Sequence, residues 1–177
     1  MTEFSRTFRI DTLGAGAREV SIEAEEAERA ALAKRFGLQA IGALAAQAAL
    51  TRSGDSVRAS GRVIASVVQS CVATGEPVEE EVAEEFEIEF RPNLQVTAPD
   101  EEIELSGSEL DVVFYEGSAV DLGEAVAETV SLALNPFPRS PQAEKALREA
   151  GVKSEEEAKR EASPFAGLAA LKDKLGG

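Results

Sequence analysis

The sequence SVRASGRVIASVVQSCVATGEPVEEEVAEEFEIEF, residues 56–90, decides the fold of this chain. On both sides of the TGEP turn at residues 74–77, apolar and polar residues alternate. Alternation with a period of two is typical of a strand that has one buried and one solvated face. We therefore predict two long strands, 56–72 and 78–91, joined as an antiparallel hairpin.

Each predicted strand has an apolar face, and the solvated face of the second strand is formed by glutamates. The apolar face of the first strand is formed by Val57, Ala59, Val63, Ala65, Val67 and Cys71. The apolar face of the second is formed by Val78, Val82, Phe86, Ile88 and Phe90, and its other face by Glu79, Glu81, Glu85, Glu87 and Glu89. Glu80 and Glu84 interrupt the apolar face, which fits a strand end, a bulge or a place where a partner covers the sheet. The pattern does not choose among these three.

Upstream of the hairpin, the sequence predicts one helix and leaves one segment undecided. Strands are expected over Phe4–Ile10 and Val20–Ile22. Residues 25–36 are good helix formers with acids first and bases last, and Gly37 stands where a C-cap belongs. Residues 38–50, LQAIGALAAQAAL, have the alanine content of a helix, but their glycine and the SGD turn that follows favour a strand.

Downstream, the sequence predicts a short strand and a second helix. The polar residues 92–108 are expected to form an exposed loop, and Leu110–Tyr115 a short strand. Asp121 is a typical N-cap residue, and Glu124 stands three residues later as in a capping box. Apolar residues then recur at helical spacing until Pro136.

These elements together predict an α+β fold. We expect one domain at 1–138, built on a twisted antiparallel sheet or partly closed barrel with two flanking helices. A charged, loosely ordered, flexible tail is expected at 139–177. Within this tail we expect 139–160 to be mobile and Pro164–Leu171 to form a short helix that docks on a partner or on the domain.

Composition argues against several kinds of site. The chain has no histidine and one cysteine, Cys71, which disfavours zinc sites and disulfides. We take Cys71 to be a buried small apolar residue rather than a reactive thiol. Glycine-rich nucleotide motifs are absent, so we expect no metal, no cofactor and no small-molecule substrate. With no apolar run near the ~20 residues that a membrane span requires and no secretory leader, we expect a cytoplasmic protein without membrane contact.

The acidic charge is concentrated in the middle of the chain. Residues 63–135 contain one basic and eighteen acidic residues, a net charge of -17, whereas each flanking region has a net charge of +1. These acids either solvate exposed faces or attract a basic partner and repel polyphosphate. An enzyme is the alternative of a different class, most plausibly a carboxylate-based hydrolase using pairs from Glu79 to Glu89. Alternate strand residues point together into solvent, however, without the burial that separates the pKa values of a catalytic pair.

Three stretches carry a family resemblance. They are GRV at 61–63 leading to QSCVATGEPV at 69–78, DLGEAVAE at 121–128 followed by NPFP at 135–138, and SPFAGLAALK at 163–172. In this order they resemble the YceD family, also called the large ribosomal RNA subunit accumulation proteins, and especially its alphaproteobacterial branch. Many members have a second cysteine where this chain has Thr74, so a paired-cysteine metal or redox role is not implied here.

The resemblance implies a part in ribosome biogenesis, supporting accumulation or processing of 23S ribosomal RNA, with no known enzymatic activity. Two partners fit this role, a basic ribosomal protein or precursor large-subunit RNA. The five glutamates at 79, 81, 85, 87 and 89 are our candidate surface for the protein. Arg52, Arg58 and Arg62, which we expect opposite the acidic face, are the candidates for RNA, because phosphate contacts require cations.

Overall fold

The computed structural model describes residues 3–93, 111–153 and 158–159. Over these residues the α-helices are α1 (Glu26–Phe36), α2 (Leu122–Ala133) and α3 (Ala143–Glu149). The strands are β1 (Thr7–Arg9), β2 (Arg18–Glu23), β3 (Ala40–Ser53), β4 (Ser56–Ser70), β5 (Pro77–Pro92), β6 (Asp111–Tyr115) and β7 (Ala119–Asp121). The predicted α+β class is confirmed, with three helices in the described residues where two were expected.

Five strands form an open sheet in the order β2-β3-β4-β5-β6, and β1 pairs with β7 separately. The predicted hairpin is β4 and β5, which pair antiparallel without a register shift. β2, β3 and β4 are also antiparallel neighbours, whereas β6 runs parallel to β5. The sheet is therefore mostly antiparallel, and it does not close into the barrel that we considered.

Residues 38–50, which composition left undecided, form most of β3. This strand is paired on one edge with β2 and on the other with β4. Every second residue from Leu44 to Leu50 is buried. Hydrogen bonding along both edges and burial of one face outweigh the helix preference of alanine. A single bulge shifts the register between Ile41 and Ala43.

The core lies on one face of the five-stranded sheet. Helices α1 and α2 pack on this face and contribute buried side chains such as Leu32 and Val126. β4 and β5 contribute the alternating apolar residues predicted from their pattern, among them Val63 and Phe90. On the other face, Ile64 is 52% exposed. The alternation in the sequence therefore corresponds to one packed and one solvated face, as expected.

The predicted caps are present at the end of α1 and at Asp121, whereas the capping box predicted for α2 is not formed. Glu25 and Glu28 form a capping box on α1, and Gly37 ends the helix in the left-handed region with φ 69°. Asp121 caps α2 by accepting hydrogen bonds from the N–H groups of Gly123 and Glu124. The Glu124 side chain does not close a capping box; its carboxylate instead pairs with Arg35 at 2.7 Å.

The N-terminal strand is shorter than predicted. Only β1 is extended and paired, whereas Phe4 precedes it and is fully buried. Asp121 holds this segment, because its carboxylate also accepts from the backbone N–H of Arg6 and the hydroxyl of Ser5. Val20–Ile22, the second predicted strand, is confirmed as part of β2.

Beyond Pro138 the chain continues with packed residues. Ser140 is buried, and so is Ala143 at the start of α3. The boundary at residue 138 stays a prediction. The loop expected at 92–108 lies almost wholly outside the described residues, and the helix expected at 164–171 lies wholly outside them. None of the helices in the described part of the chain has the length and apolar character that crossing a bilayer requires.

Candidate functional site

The five candidate glutamates lie on the solvated face of β5. Alternate residues of a strand share a face, so the odd-numbered positions from 79 to 89 point away from the core. Glu79, Glu81, Glu85 and Glu87 are exposed, and Glu89 is half-buried. The sequence pattern therefore located this face correctly.

Two candidate arginines lie on the same face as the glutamates, so the expectation that they lie opposite is wrong. In the β4–β5 register Arg58 stands across from Glu89, and Arg62 across from Glu85. Residues directly across an antiparallel pair have their side chains on one face of the sheet. Arg58 also approaches Glu87, with 3.6 Å between guanidinium and carboxylate. The acidic face is thus interleaved with cations along part of its length.

Arg52 stands apart from the other two arginines. Its register partner on β4 is the fully buried Val57, so it belongs to the side of the sheet that faces the core. Its guanidinium donates to the carbonyl oxygens of Ile10 at 3.1 Å and Gly54 at 2.7 Å. It holds the chain around the β3–β4 turn and does not join one basic surface with Arg62.

A depression of about 500 Å³ lies at the β3–β4 turn. Its lining residues are Ala15, Thr51, Arg52, Ser53, Ser56, Arg58 and Glu89. Arg91 donates to Glu89 at 2.7 Å, and this hydrogen bond is the main cause that lowers the pKa of that carboxyl. Of the five candidate glutamates, Glu89 is the one that lines this depression. The depression therefore does not contain the pair of carboxylates that a hydrolase requires.

No group of three or more His, Cys, Asp or Glu residues within 3–93, 111–153 and 158–159 is arranged to hold a metal ion.

The two glutamates that interrupt the apolar face of β5 have different surroundings. Glu80 accepts a hydrogen bond from the Gln69 side chain at 2.6 Å and another from the backbone N–H of Asn135 at 3.2 Å. It therefore attaches the chain leaving α2 to the end of the sheet, near the start of β5. Glu84 is exposed and stands across from Val63 in an unbroken register, which excludes a bulge in this pairing. The sequence analysis did not predict the roles of Gln69 and Asn135. The signal available in the sequence was Glu80, an acidic residue on an otherwise apolar face.

The turn between β4 and β5 is tied to the segment after α2. The Ser140 hydroxyl donates to the Glu76 carboxylate at 2.7 Å, and the Thr74 hydroxyl lies 3.2 Å from that of Ser140. Cys71 is buried, as expected, at 3% exposure. Hydrogen bonds from the Ser140 backbone and the Thr74 hydroxyl lower the pKa of the Cys71 thiol to about 6. Thr74 thus contributes to the turn.

The described geometry offers a charged sheet face and no enclosed catalytic pair in the depression described above. Neither the curated proteins nor the solved structures include a match to this chain. One family model does match, over residues 59–172, and its description is large ribosomal RNA subunit accumulation protein YceD. This match covers more than half of the chain and includes β5, α2 and the β4–β5 turn. The chain belongs to the YceD family.

Proposed function

We propose that this chain supports the accumulation of large-subunit ribosomal RNA without catalysis, by binding a basic ribosomal protein through the solvated face of β5. The observation that carries the proposal is the row of glutamates at 79, 81, 85, 87 and 89 on that face. The family description supports the ribosomal setting. In this proposal the chain acts in the cytoplasm, and the partner binds the domain that contains β5.

The spacing of the glutamates makes them act together in two groups. Within 79–81 and within 85–89, neighbouring glutamates are about 6.6 Å apart, which is less than the screening length of about 10 Å at 0.1 M salt, whereas Ala83 leaves about 13 Å between Glu81 and Glu85. Their fields therefore add outside the sheet, attract a cationic protein and repel phosphate. Such binding weakens as added salt shortens the screening length.

Precursor RNA is the second candidate partner, because Arg52 and Arg58 line one depression that a phosphate group could enter. Two observations weigh against it. Glu89 lines the same depression, and Arg62 stands across from Glu85. A phosphate placed at either arginine on β4 would also face carboxylates, so we favour the protein partner.

The test uses RNA-free proteins purified from the large ribosomal subunit and the immobilised full-length chain. We expect the wild type to retain one or a few basic proteins, with retention decreasing as salt is raised. A variant with Glu79, Glu81, Glu85 and Glu87 replaced by Gln should lose that retention. Replacing Arg58 and Arg62 by Gln is the control and should leave it intact, and Arg52 is kept because it holds the β3–β4 turn.

Two results would contradict the proposal. One is equal retention by the wild type and the Glu-to-Gln variant. The other is retention that appears only when RNA is added back and disappears with the arginine replacements, which would favour RNA as the direct partner.

A further inference from the structure

The solvated face of the sheet divides into two halves with different chemistry. The register places Ala45, Ile64 and Ala83 in one row across β3, β4 and β5. On the side of this row toward the β3–β4 turn, Arg62 and Arg58 stand across from glutamates. On the side toward the β4–β5 turn, Glu81 stands across from Ser66 and Glu79 across from Val68. We call the row together with Ala43, Glu79 and Glu81 the turn half.

The row across the turn half is apolar on all three strands. Ile64 is 52% exposed, and Ala43, Ala45 and Ala83 around it are exposed as well. A single exposed apolar residue needs no explanation, but here apolar side chains of three neighbouring strands adjoin each other. The helices that cover the sheet, α1 and α2, pack on its other face. Within the described residues, nothing from this chain covers the row.

In the part of the chain that the structure describes, no arginine stands across from the carboxylates of the turn half, unlike those of the other half. Glu85 and Glu89 each stand across from an arginine, whereas the cross-strand neighbours of Glu79 and Glu81 are uncharged. Uncompensated carboxylates on β5 therefore border an apolar surface on β3 and β4. A complementary partner is a polypeptide segment that has apolar side chains on one side and basic side chains on the adjacent side.

We propose that the turn half docks an amphipathic, cationic segment of a protein partner, with its apolar side over Ile64 and its basic side toward Glu79 and Glu81. This inference rests on the proposed function, since it locates the binding of the basic protein and adds an apolar contact to it. A second copy of this chain is disfavoured, because two chains of net charge -15 repel each other. RNA is disfavoured because its phosphates would approach unpaired carboxylates.

The test compares two synthetic helical peptides of equal length and equal positive charge. One has lysines on one side and leucines on the other, and the second has glutamines in place of the leucines. We expect the full-length wild type to bind the leucine peptide at least about fivefold more tightly, as burial of about half an isoleucine side chain predicts. Ile64→Thr, which keeps a β-branched residue in the strand, should remove most of that difference.

The charge contribution is tested with a matched pair of variants. Glu79→Gln with Glu81→Gln should weaken both peptides. Glu85→Gln with Glu87→Gln removes the same charge from the other half and should weaken them less. All these positions except Ile64 are solvated carboxylates, and Ile64 is half-exposed, so thermal melting should show each variant folded.

Several outcomes would overturn the inference and leave the proposed function standing. Equal binding of both peptides, no effect of Ile64→Thr, or equal effects of the two double variants would each remove the turn half as the docking site. A wild type that is dimeric in sedimentation and becomes monomeric on Ile64→Thr would assign the face to a second copy. The proposed function fails separately, if the fourfold Glu-to-Gln variant still retains the ribosomal proteins.

Discussion

Gly61 is the position where we expect a single methyl group to cost the most stability. It lies in the middle of β4, across from Ala48 on β3 and Phe86 on β5. A Cβ atom added there would collide with the backbone carbonyl oxygen of Gln47 and lie 2.8 Å from the Cα of Ala48. Both contacted atoms belong to the backbone, so a change of side-chain rotamer cannot relieve the collision. Gly61→Ala therefore requires β3 and β4 to move apart.

The size of the effect follows from the distances. Ordinary contacts of a Cβ begin at 3.4 Å, so the Ala48 contact alone requires a shift of about 0.6 Å. A shift of that size takes neighbouring backbone hydrogen bonds from about 2.9 Å to about 3.5 Å, the limit of a useful bond. Overpacking costs about 1–3 kcal/mol, and each weakened hydrogen bond adds up to about 1 kcal/mol. We expect a loss of about 2–4 kcal/mol.

Thermal melting followed by circular dichroism measures this loss. For a chain of this size about 1 kcal/mol corresponds to roughly 2–4 °C, so Gly61→Ala should melt roughly 5–15 °C below the wild type. Gly16→Ala is the matched control, because no atom lies within 4 Å of its added Cβ. The control should melt within about 3 °C of the wild type. A Gly61→Ala protein that melts as the control does would refute the close approach of β3 and β4.

Three further predictions concern the helix cap, the turn and the tail. Asp121→Ala should lower the free energy of unfolding in urea by about 1–2 kcal/mol, whereas Asp121→Asn should retain most of the cap; equal losses would contradict this. The Cys71 thiolate should appear in ultraviolet absorbance near pH 6, and Thr74→Val should move the titration upward. Because folding lowers this pKa from 9.0, ionisation of the Cys71 thiol stabilises the folded state. This contribution to the free energy of unfolding is complete above about pH 9 and is lost as the pH falls through 6. An unchanged titration in the variant would refute the Thr74 contact. A chain ending at residue 138 should melt below one ending at residue 153, because it lacks the buried Ser140 and Ala143; identical melting of the two would place the domain end at 138.

The sequence analysis was most accurate where the deciding interactions are local. The alternation in residues 56–90 predicted β4 and β5, since burial of every second residue follows from strand geometry alone. Acidic and basic residues at the two ends, with Gly37 after the last turn, predicted α1 within a residue or two. Asp121 predicted the start of α2 for the same reason. The parallel direction of β6 was missed, because a strand's own pattern does not encode the direction of its neighbour.

By itself, the sequence determined that one strand presents five glutamates to solvent and that the middle of the chain is acidic. The tertiary structure alone decided which of those glutamates have a cation beside them. The cross-strand neighbours of Glu85 and Glu79 depend on the β4–β5 register, which residues far apart along the chain set together. The structure also decided that 38–50 is a strand, because pairing along two edges adds hydrogen bonds that local propensity does not contain.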